Sequence, residues 1–122
     1  MNTYLQDLSK KLESDTIRKG FGEGLKKLGE TNDKVVGLCA DLTGSTNMNF
    51  FADAFPDRFF QVGIAEQNLV TTGSGLAAVG LIPFVGSYAA FSPGRNWEQI
   101  RTTICLNNQP VKIVGAHAGL SV

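Results

Sequence analysis

The sequence predicts an α/β fold, in which a parallel sheet has helices on both faces. Segments with helical periodicity alternate with short apolar runs along the chain, as in folds built from strand–helix units. The apolar runs are continuous rather than alternating in polarity, which is typical of strands that are buried on both faces. The chain has 122 residues, of which 43% are hydrophobic and 18% charged, and this suits one globular domain.

Helical segments are predicted before and between the apolar runs. Residues 1–14 have leucines at helical spacing, so they predict an amphipathic N-terminal helix. Asp15 is the predicted N-cap of the next helix. The apolar stripe of that helix consists of Ile17, Phe21, Leu25 and Leu28. Further helices are predicted at residues 49–55, 65–79 and 95–106, the last with Trp97, Ile100 and Ile104 on one face.

Four short apolar runs predict the strands of the sheet. They are residues 35–39, 59–63, 81–86 and 111–116. In parallel sheets of this kind, ligands bind beyond the carboxyl ends of the strands. The loops at that edge begin at Ala40, Gly63, Ser87 and His117. The chain stops just after the fourth run, with no helix to cover it, so we expect the sheet to be incomplete at its C-terminus.

Charge, hydropathy and cysteine content argue against several functions. The formal net charge is zero and no stretch is strongly basic, so neither nucleic acid nor an anionic membrane is an expected partner. The longest apolar run is too short for a membrane span and is interrupted by Pro83, and the N-terminus lacks the apolar core of a signal peptide. Cys39 and Cys105 lie among apolar neighbours, as buried free thiols of a cytoplasmic protein do.

One carboxylate is isolated from every other charge in its region. Glu66 is the only charged residue between Arg58 and Arg95, and its neighbours are apolar, small or neutral. We expect it to be at least partly buried, where a carboxyl group that holds or shares a proton serves general acid–base chemistry. The alternative is a carboxylate at a helix start that binds free backbone N–H groups.

Other candidate site residues follow the third and fourth predicted strands. Tyr88 and Phe91 could form a wall for a flat heterocycle, or could simply pack in the core. His117 is the only histidine, and without cysteine or carboxylate partners nearby it does not indicate a zinc site. It could hydrogen-bond a substrate oxygen or be a bystander at a strand end. No metal-binding residue is predicted.

Two polar residues near the predicted ligand edge could bind phosphate. Arg18 opens a helix and Ser45 lies in a polar loop, and an arginine with a hydroxyl group is a common phosphate-binding pair. A solvated charge and an ordinary turn are the alternatives. The glycine-rich segment 20–24 is not a dinucleotide fingerprint, because it lies inside a helical stripe and does not follow a strand.

Three segments together resemble the pyrimidine-binding domain of transketolases. They are FPDRFFQVGIAEQNLV, PFVGSYAAFSPGRNWEQIR and VKIVGAHAGLSV. The likeness covers about residues 16–122, and it is greatest to the type of transketolase that is split into two shorter subunits. The GIAEQN segment is shared with 1-deoxyxylulose-5-phosphate synthase, whereas the PGRNWEQIR segment favours transketolase.

The resemblance implies a thiamine diphosphate site. Glu66 matches the family's glutamate that hydrogen-bonds N1′ of the cofactor's aminopyrimidine ring and so favours the tautomer that activates the cofactor. Tyr88 and Phe91 match the aromatic residues that stack on that ring. Asp41 matches an acidic residue beside the cofactor.

The resemblance also implies a substrate and a reaction. Arg18 and Ser45 match residues that hold the phosphate end of the sugar. His117 matches a histidine that faces the hydroxyl groups of the donor sugar, and it joins Glu66 among the expected catalytic residues. The implied reaction transfers a two-carbon ketol unit between sugar phosphates, in the pentose phosphate pathway.

A partner chain is implied as well. The sequence lacks the GDG…N motif with which the family holds Mg²⁺ and the diphosphate, so the resemblance calls for a diphosphate-binding, N-terminal transketolase subunit. The expected assembly is a homodimer or heterotetramer, and the chain alone is expected to be inactive. The small residues Gly73, Ala77 and Gly80 would suit a subunit interface or helix–sheet packing within one domain.

Two alternatives stay open at the level of sequence. One is a subunit of the 1-deoxyxylulose-5-phosphate synthase type, which would use pyruvate as its donor. The other is a non-catalytic fragment that only binds a partner. The abrupt end of the sequence at Val122 is the reason to consider this alternative.

Overall fold

A four-stranded parallel sheet in the order β2-β1-β3-β4 forms the centre of the molecule. The computed structural model describes residues 14–120 and residue 122, so all of the predicted N-terminal helix except Ser14 lies outside the described residues. The strands are β1 (Val35–Cys39), β2 (Phe59–Gln61), β3 (Ile82–Tyr88) and β4 (Lys112–Ala116). The predicted α/β fold with a parallel sheet is confirmed.

The helices cover both faces of this sheet. They are α1 (Ile17–Thr31), α2 (Asn49–Ala54), α3 (Glu66–Ala78) and α4 (Trp97–Gln99), which continues as a π-helix over Ile100–Cys105. One 3₁₀ turn, Pro56–Arg58, leads from α2 into β2. Pro56 stands at its first position, where its missing N–H group costs no hydrogen bond.

The central strand β1 shows why its sequence is apolar without interruption. Val36 and Leu38 belong to the core between the sheet, helix α3 and the π-helix, with Leu69 and Ile104. The alternate residues Val35 and Cys39 pack on the opposite face with Leu25, Met48 and Phe51, from α1 and the α2 region. Successive strand residues point to opposite faces, so a strand between two helical layers has apolar residues at every position.

Helix α1 starts one residue later than predicted. Thr16 is its N-cap, and the Asp15 carboxylate accepts hydrogen bonds from the Thr16 N–H and from Lys19. The hydrogen bond from the Lys19 ammonium lowers the pKa of the Asp15 carboxyl. The predicted apolar stripe is wrong at its ends, because Ile17 is 93% exposed and Leu28 is 38% exposed, while Leu25 is buried.

The glycines of α1 and α3 allow close packing inside the chain. A Cβ atom at Gly29 would lie 2.6 Å from the Phe51 ring, and one at Gly73 would lie 2.7 Å from a Val85 methyl group. The small-residue face of α3 therefore packs on the sheet, which is the second of the two alternatives for Gly73 and Ala77. Gly80 follows the helix in a left-handed conformation, with φ of 89°.

The segment after β3 departs from the prediction in two ways. Strand β3 continues through Tyr88, so Ser87 and Tyr88 lie in the strand rather than in the loop. Ile100 and Ile104 are buried as expected, but Trp97 is 63% exposed. The α-helical segment ends at Gln99 and a π-helix begins at Ile100, so the predicted helix is not one continuous α-helix.

The two cysteines differ in their surroundings. Cys39 is a buried free thiol, as predicted, whereas Cys105 is exposed near the end of the π-helix. Among the helices of the described residues, none combines the length and the apolar character needed to cross a membrane. Residues 14–120 and 122 also contain no group of three or more His, Cys, Asp or Glu that could hold a metal ion.

Candidate active site

The carboxyl edge of the sheet brings the predicted site residues together. Asp41 follows β1, and Glu66 is the first residue of α3, which follows β2. The β3–α4 loop contains Phe91, and His117 follows β4. Because parallel strands all end at this edge, four separate loops meet there.

Glu66 is the most deeply buried charged residue of this edge. Its side chain is 2% exposed, and its Oε2 atom accepts a hydrogen bond of 2.9 Å from Nη1 of Arg95. Within the described part of the chain, Oε1 accepts no hydrogen bond. The predicted burial of Glu66 is confirmed, and the buried charge is balanced by an arginine that is itself half exposed.

The geometry bears on the capping interpretation of this carboxylate. A capping side chain would accept a hydrogen bond from a free N–H group in the first turn of α3. The N-cap position is Ala65, which has no side-chain acceptor, and the Glu66 carboxylate binds Arg95 instead of the backbone. Glu66 is therefore not a helix cap.

A small cleft lies beside the Glu66 carboxylate. Its volume is about 130 Å³, and we call it the Glu66 cleft. Its lining consists of Ala40, Asp41, Leu42, Ile64, Glu66 and Phe91. The side chains are apolar apart from two carboxylates, so the cleft offers hydrogen-bond acceptors and flat apolar contacts. Such a surface suits a heterocycle with proton-bearing nitrogens.

A row of aromatic rings leads away from this cleft. The rings of Phe91 and Tyr88 are stacked, with centroids 6.0 Å apart and planes at 16°. The Tyr88 ring in turn lies 4.1 Å from the ring of His117. Phe91 lines the cleft. Tyr88 does not line it, but lies at the C-terminal end of β3 and stacks on the Phe91 ring. The two predicted wall residues thus have different positions.

A second polar group lies at the far end of the row. Nη1 of Arg18 donates a hydrogen bond of 3.3 Å to the Ser45 carbonyl oxygen and lies 3.4 Å from Nε2 of His117. We call these three residues the Arg18 cluster. Ser45 contributes its carbonyl group rather than its hydroxyl group to this contact. The Nδ1 atom of His117 is buried and has no partner among the described residues.

The loop after β1 is held by a side chain from β2. Gln61 Oε1 accepts a hydrogen bond of 2.7 Å from the Asp41 N–H, and its Nε2 donates to the Thr43 hydroxyl group. Asp41 has a φ of 58°, a left-handed conformation that aspartate adopts more readily than most residues. Its exposed carboxylate stands at the mouth of the Glu66 cleft.

The sequence reasoning missed the residues that support Glu66. Arg95 binds the carboxylate, and its guanidinium group lies 4.8 Å from the centre of the Phe91 ring. Asn96 is fully buried and donates to the Glu66 carbonyl oxygen and the Ser92 hydroxyl group. A signal was available, because a buried carboxylate needs a cation and Arg95 is the next charged residue along the chain.

Comparison with known proteins identifies the family. Residues 13–122 match the family described as "Transketolase, pyrimidine binding domain". The chain belongs to the transketolase family. Members of this family are transferase-type enzymes that depend in general on thiamine diphosphate.

Individual relatives agree with this assignment. The protein named "Putative transketolase C-terminal section" from Methanocaldococcus jannaschii is 47% identical over 106 residues, which are 87% of this chain and 34% of that protein. A 1-deoxy-D-xylulose-5-phosphate synthase of Clostridium perfringens is 44% identical over 100 residues, which are 82% of this chain and 16% of the relative. This transketolase domain therefore spans about a third or less of these relatives.

Solved structures show the same fold. One named "Split gene transketolase, inactive beta4 tetramer" is 49% identical, has a TM-score of 0.73, and matches 80% of this chain and 33% of its own. A transketolase from Leishmania mexicana has a TM-score of 0.70 at 24% identity over 84% of this chain and 17% of its own, which supports the fold alone. The predicted resemblance to a split transketolase is confirmed.

Proposed function

We propose that this chain is the part of a thiamine diphosphate-dependent transketolase that binds the pyrimidine ring, and that it works with a diphosphate-binding partner. The observation that carries this proposal is the buried Glu66 carboxylate, with one oxygen on Arg95 and the other without a partner in the described residues, beside an aromatic side chain. The complete protein would transfer a two-carbon ketol unit between sugar phosphates.

The Glu66 cleft fits the aminopyrimidine ring of this cofactor. The ring carries an amino group and a nitrogen that can bind a proton, and the side chains of the cleft supply only acceptors to these groups. Glu66 would accept the hydrogen bond from the ring nitrogen, and Phe91 and Ile64 would contact the ring faces. When bound, thiamine diphosphate supplies the carbanion chemistry needed to cleave the bond next to a carbonyl group.

Glu66 holds or accepts a proton at its free oxygen atom. The apolar neighbours Leu42 and Phe91 exclude water from this position, which strengthens the hydrogen bond made there. Asp41 is exposed at the mouth of the cleft and adds a second negative charge that favours a proton-bearing ring.

The Arg18 cluster supports a phosphorylated substrate. Arg18 presents a guanidinium group that is exposed at the carboxyl edge, next to His117. A guanidinium group matches the oxygen atoms of a phosphate group in geometry and charge. His117, in contact with Arg18 and with Tyr88, would then face the sugar part of the same substrate.

A partner chain is needed to complete the site. Ile64 lines the Glu66 cleft but is 74% exposed, so the cleft is open on that side. The name of the solved relative describes a tetramer of one kind of subunit as inactive, which agrees with a requirement for another subunit.

A second candidate is synthesis of 1-deoxyxylulose 5-phosphate. Clostridium perfringens synthases are 41% and 44% identical to this chain, close to the 47% of the M. jannaschii protein. The two reactions share the cofactor but differ in the donor. Assays of the reconstituted complex with pyruvate and with xylulose 5-phosphate separate them, and activity with the ketose phosphate supports the first candidate.

The decisive variant for the proposed function is Glu66→Ala in the complex with the diphosphate-binding subunit. We expect calorimetric titration to show thiamine diphosphate binding by the wild-type complex and turnover to be lost in the variant. Glu30→Ala is the matched control, since Glu30 is an exposed carboxylate on α1. Wild-type turnover by Glu66→Ala would refute the assigned role, and cofactor binding without turnover of either donor would indicate a non-catalytic fragment.

A further inference from the structure

We propose that Arg95 is a positioning residue, which acts through Glu66 by pairing with its carboxylate and fixing the direction of that group. This inference rests on the proposed function and adds a determinant that lies outside the cleft lining. Arg95 touches neither the interior of the cleft nor the Arg18 cluster, yet it contacts two of the cleft's side chains, Glu66 and Phe91.

The first argument is the charge balance at Glu66. A carboxylate that is 2% exposed has lost its hydration, and an isolated buried charge is strongly unfavourable unless it is paired. Among the described residues, Arg95 is the cation in salt-bridge contact with Glu66. The salt bridge with Arg95 therefore compensates the Glu66 carboxylate for its lost hydration.

The second argument is direction. Arg95 binds Oε2 alone, through one terminal nitrogen, at 2.9 Å. This contact restricts rotation of the carboxylate and leaves Oε1 as the acceptor for a ligand in the cleft. A guanidinium group that bound both oxygen atoms would compete with the ligand instead.

The third argument is that the segment around Arg95 is itself fixed. The N–H of Arg95 donates to the Phe91 carbonyl oxygen at 2.9 Å, and the guanidinium group lies over the Phe91 ring. The next residue, Asn96, is fully buried and donates to the Glu66 carbonyl oxygen at 2.9 Å. Two consecutive residues thus hold the side chain and the backbone of Glu66, so the acid and the aromatic wall keep one mutual geometry.

The experiment is a double-mutant cycle with Arg95→Gln and Glu66→Gln in the reconstituted complex. Arg95→Gln should reduce kcat and weaken thiamine diphosphate binding about 10- to 100-fold, as expected when a reacting group is misplaced. The double variant should be no worse than Glu66→Gln alone, since Arg95 acts through Glu66. Calorimetry measures the cofactor Kd separately from activity.

Matched variants separate positioning from folding. Arg95→Lys keeps the charge and should recover part of the cofactor affinity. Arg101→Gln removes an exposed arginine of the same segment and should leave both Kd and kcat unchanged. Variants are compared only after partner binding and thermal melting show that each complex has assembled, and Arg95→Lys serves if Arg95→Gln does not assemble.

The outcomes distinguish this inference from the proposed function. Suppose that Arg95→Gln keeps the wild-type cofactor Kd and kcat, while Glu66→Gln loses turnover and cofactor affinity. This result would overturn the role of Arg95 and leave the proposed function intact. Losses in the two single variants that multiply in the double variant would also overturn it, because Arg95 would then act independently of Glu66. Wild-type behaviour of Glu66→Gln would refute the proposed function itself.

Discussion

The Glu66 cleft and the Arg18 cluster lie at the same edge of the sheet but are built differently. The cleft has a carboxylate that is 2% exposed and bound by a short ion pair of 2.9 Å. The cluster has an exposed arginine whose contacts with Ser45 and His117 are longer, at 3.3 and 3.4 Å. The row from Phe91 through Tyr88 to His117 connects the two.

This difference indicates a division of labour. A buried, paired acid with a fixed neighbour is suited to a ligand that stays bound and whose protonation must be controlled. An exposed guanidinium group with longer contacts is suited to a ligand that arrives from solvent and leaves again. We therefore expect damage to the cleft to reduce kcat and cofactor affinity, and damage to the cluster to raise KM for a phosphorylated substrate.

The largest effect is expected for Glu66→Gln, which keeps the shape of the side chain and removes its charge. Turnover of the complex should fall about 10²- to 10⁴-fold, the usual contribution of a positioned acid–base group. KM for the sugar phosphate should change little, because the cluster is untouched. Steady-state kinetics measures both constants, and a rise in KM at unchanged kcat would reverse the assignment of the two regions.

The next largest effect is expected in the Arg18 cluster, where substrate binding rather than cofactor binding should change. Arg18→Gln should raise KM for a sugar phosphate about 10- to 100-fold, the loss expected when a charged hydrogen bond to phosphate is removed. The cofactor Kd should stay at the wild-type value, since Arg18 is not part of the Glu66 cleft. An unphosphorylated ketose provides the control, and it should be used equally well by the variant and the wild type.

Two glycines, one near the Glu66 cleft and one near the Arg18 cluster, allow each region to be disturbed by a change in backbone packing. A Cβ at Gly94 would lie 2.3 Å from the Ala90 carbonyl oxygen, in the turn that holds Phe91 and Arg95. A Cβ at Gly22 would lie 2.4 Å from the Asn47 carbonyl oxygen, where α1 packs beside the Ser45 loop. We expect each alanine variant to lower the free energy of unfolding by about 1–3 kcal/mol.

The functional consequences of the two glycine variants should differ. Gly94→Ala should weaken cofactor binding, whereas Gly22→Ala should raise the substrate KM. Gly24→Ala is the control, because a Cβ there has no neighbour within 4 Å and should stabilise α1 by about 0.5–1 kcal/mol. Denaturant unfolding measures the free energies of unfolding. Equal losses of cofactor affinity in both variants would contradict the proposed difference in role between the Glu66 cleft and the Arg18 cluster.

The smallest effect is expected at the residue between the two regions. Tyr88→Phe keeps the ring that stacks on Phe91 and contacts His117, so kcat and KM should change by less than about threefold. Tyr88→Ala should impair both constants, because it removes the support that the two regions share. Normal kinetics in Tyr88→Ala would show that the regions are not connected through this ring.

Much of the fold was predictable because it depends on local patterns. The continuous apolar run of β1 reflects burial between two helical layers, which the sequence pattern reports directly. The errors fall where tertiary packing overrides the pattern, at the exposed ends of the α1 stripe and at Trp97 before the π-helix. Neither the change from an α-helix to a π-helix nor the exposure of Ile17 leaves a signal in local hydropathy.

The candidate site was predictable only in part. Isolation among apolar residues indicated a buried Glu66, and the resemblance implied the role that we propose for it. The pairing with Arg95 and the support from Asn96 join residues about one helix and one strand apart, so they depend on the topology of the sheet. The use of the Ser45 carbonyl group, rather than its hydroxyl group, is a matter of loop conformation that residue type does not report.

A crystal structure of the complex with thiamine diphosphate tests the central claim most directly. The account predicts that an oxygen atom of Glu66 lies within hydrogen-bond distance, about 2.6–3.2 Å, of a nitrogen of the pyrimidine ring, with the Phe91 ring against the ring face. A structure in which the pyrimidine binds elsewhere, and the Glu66 carboxylate contacts only Arg95, would contradict it.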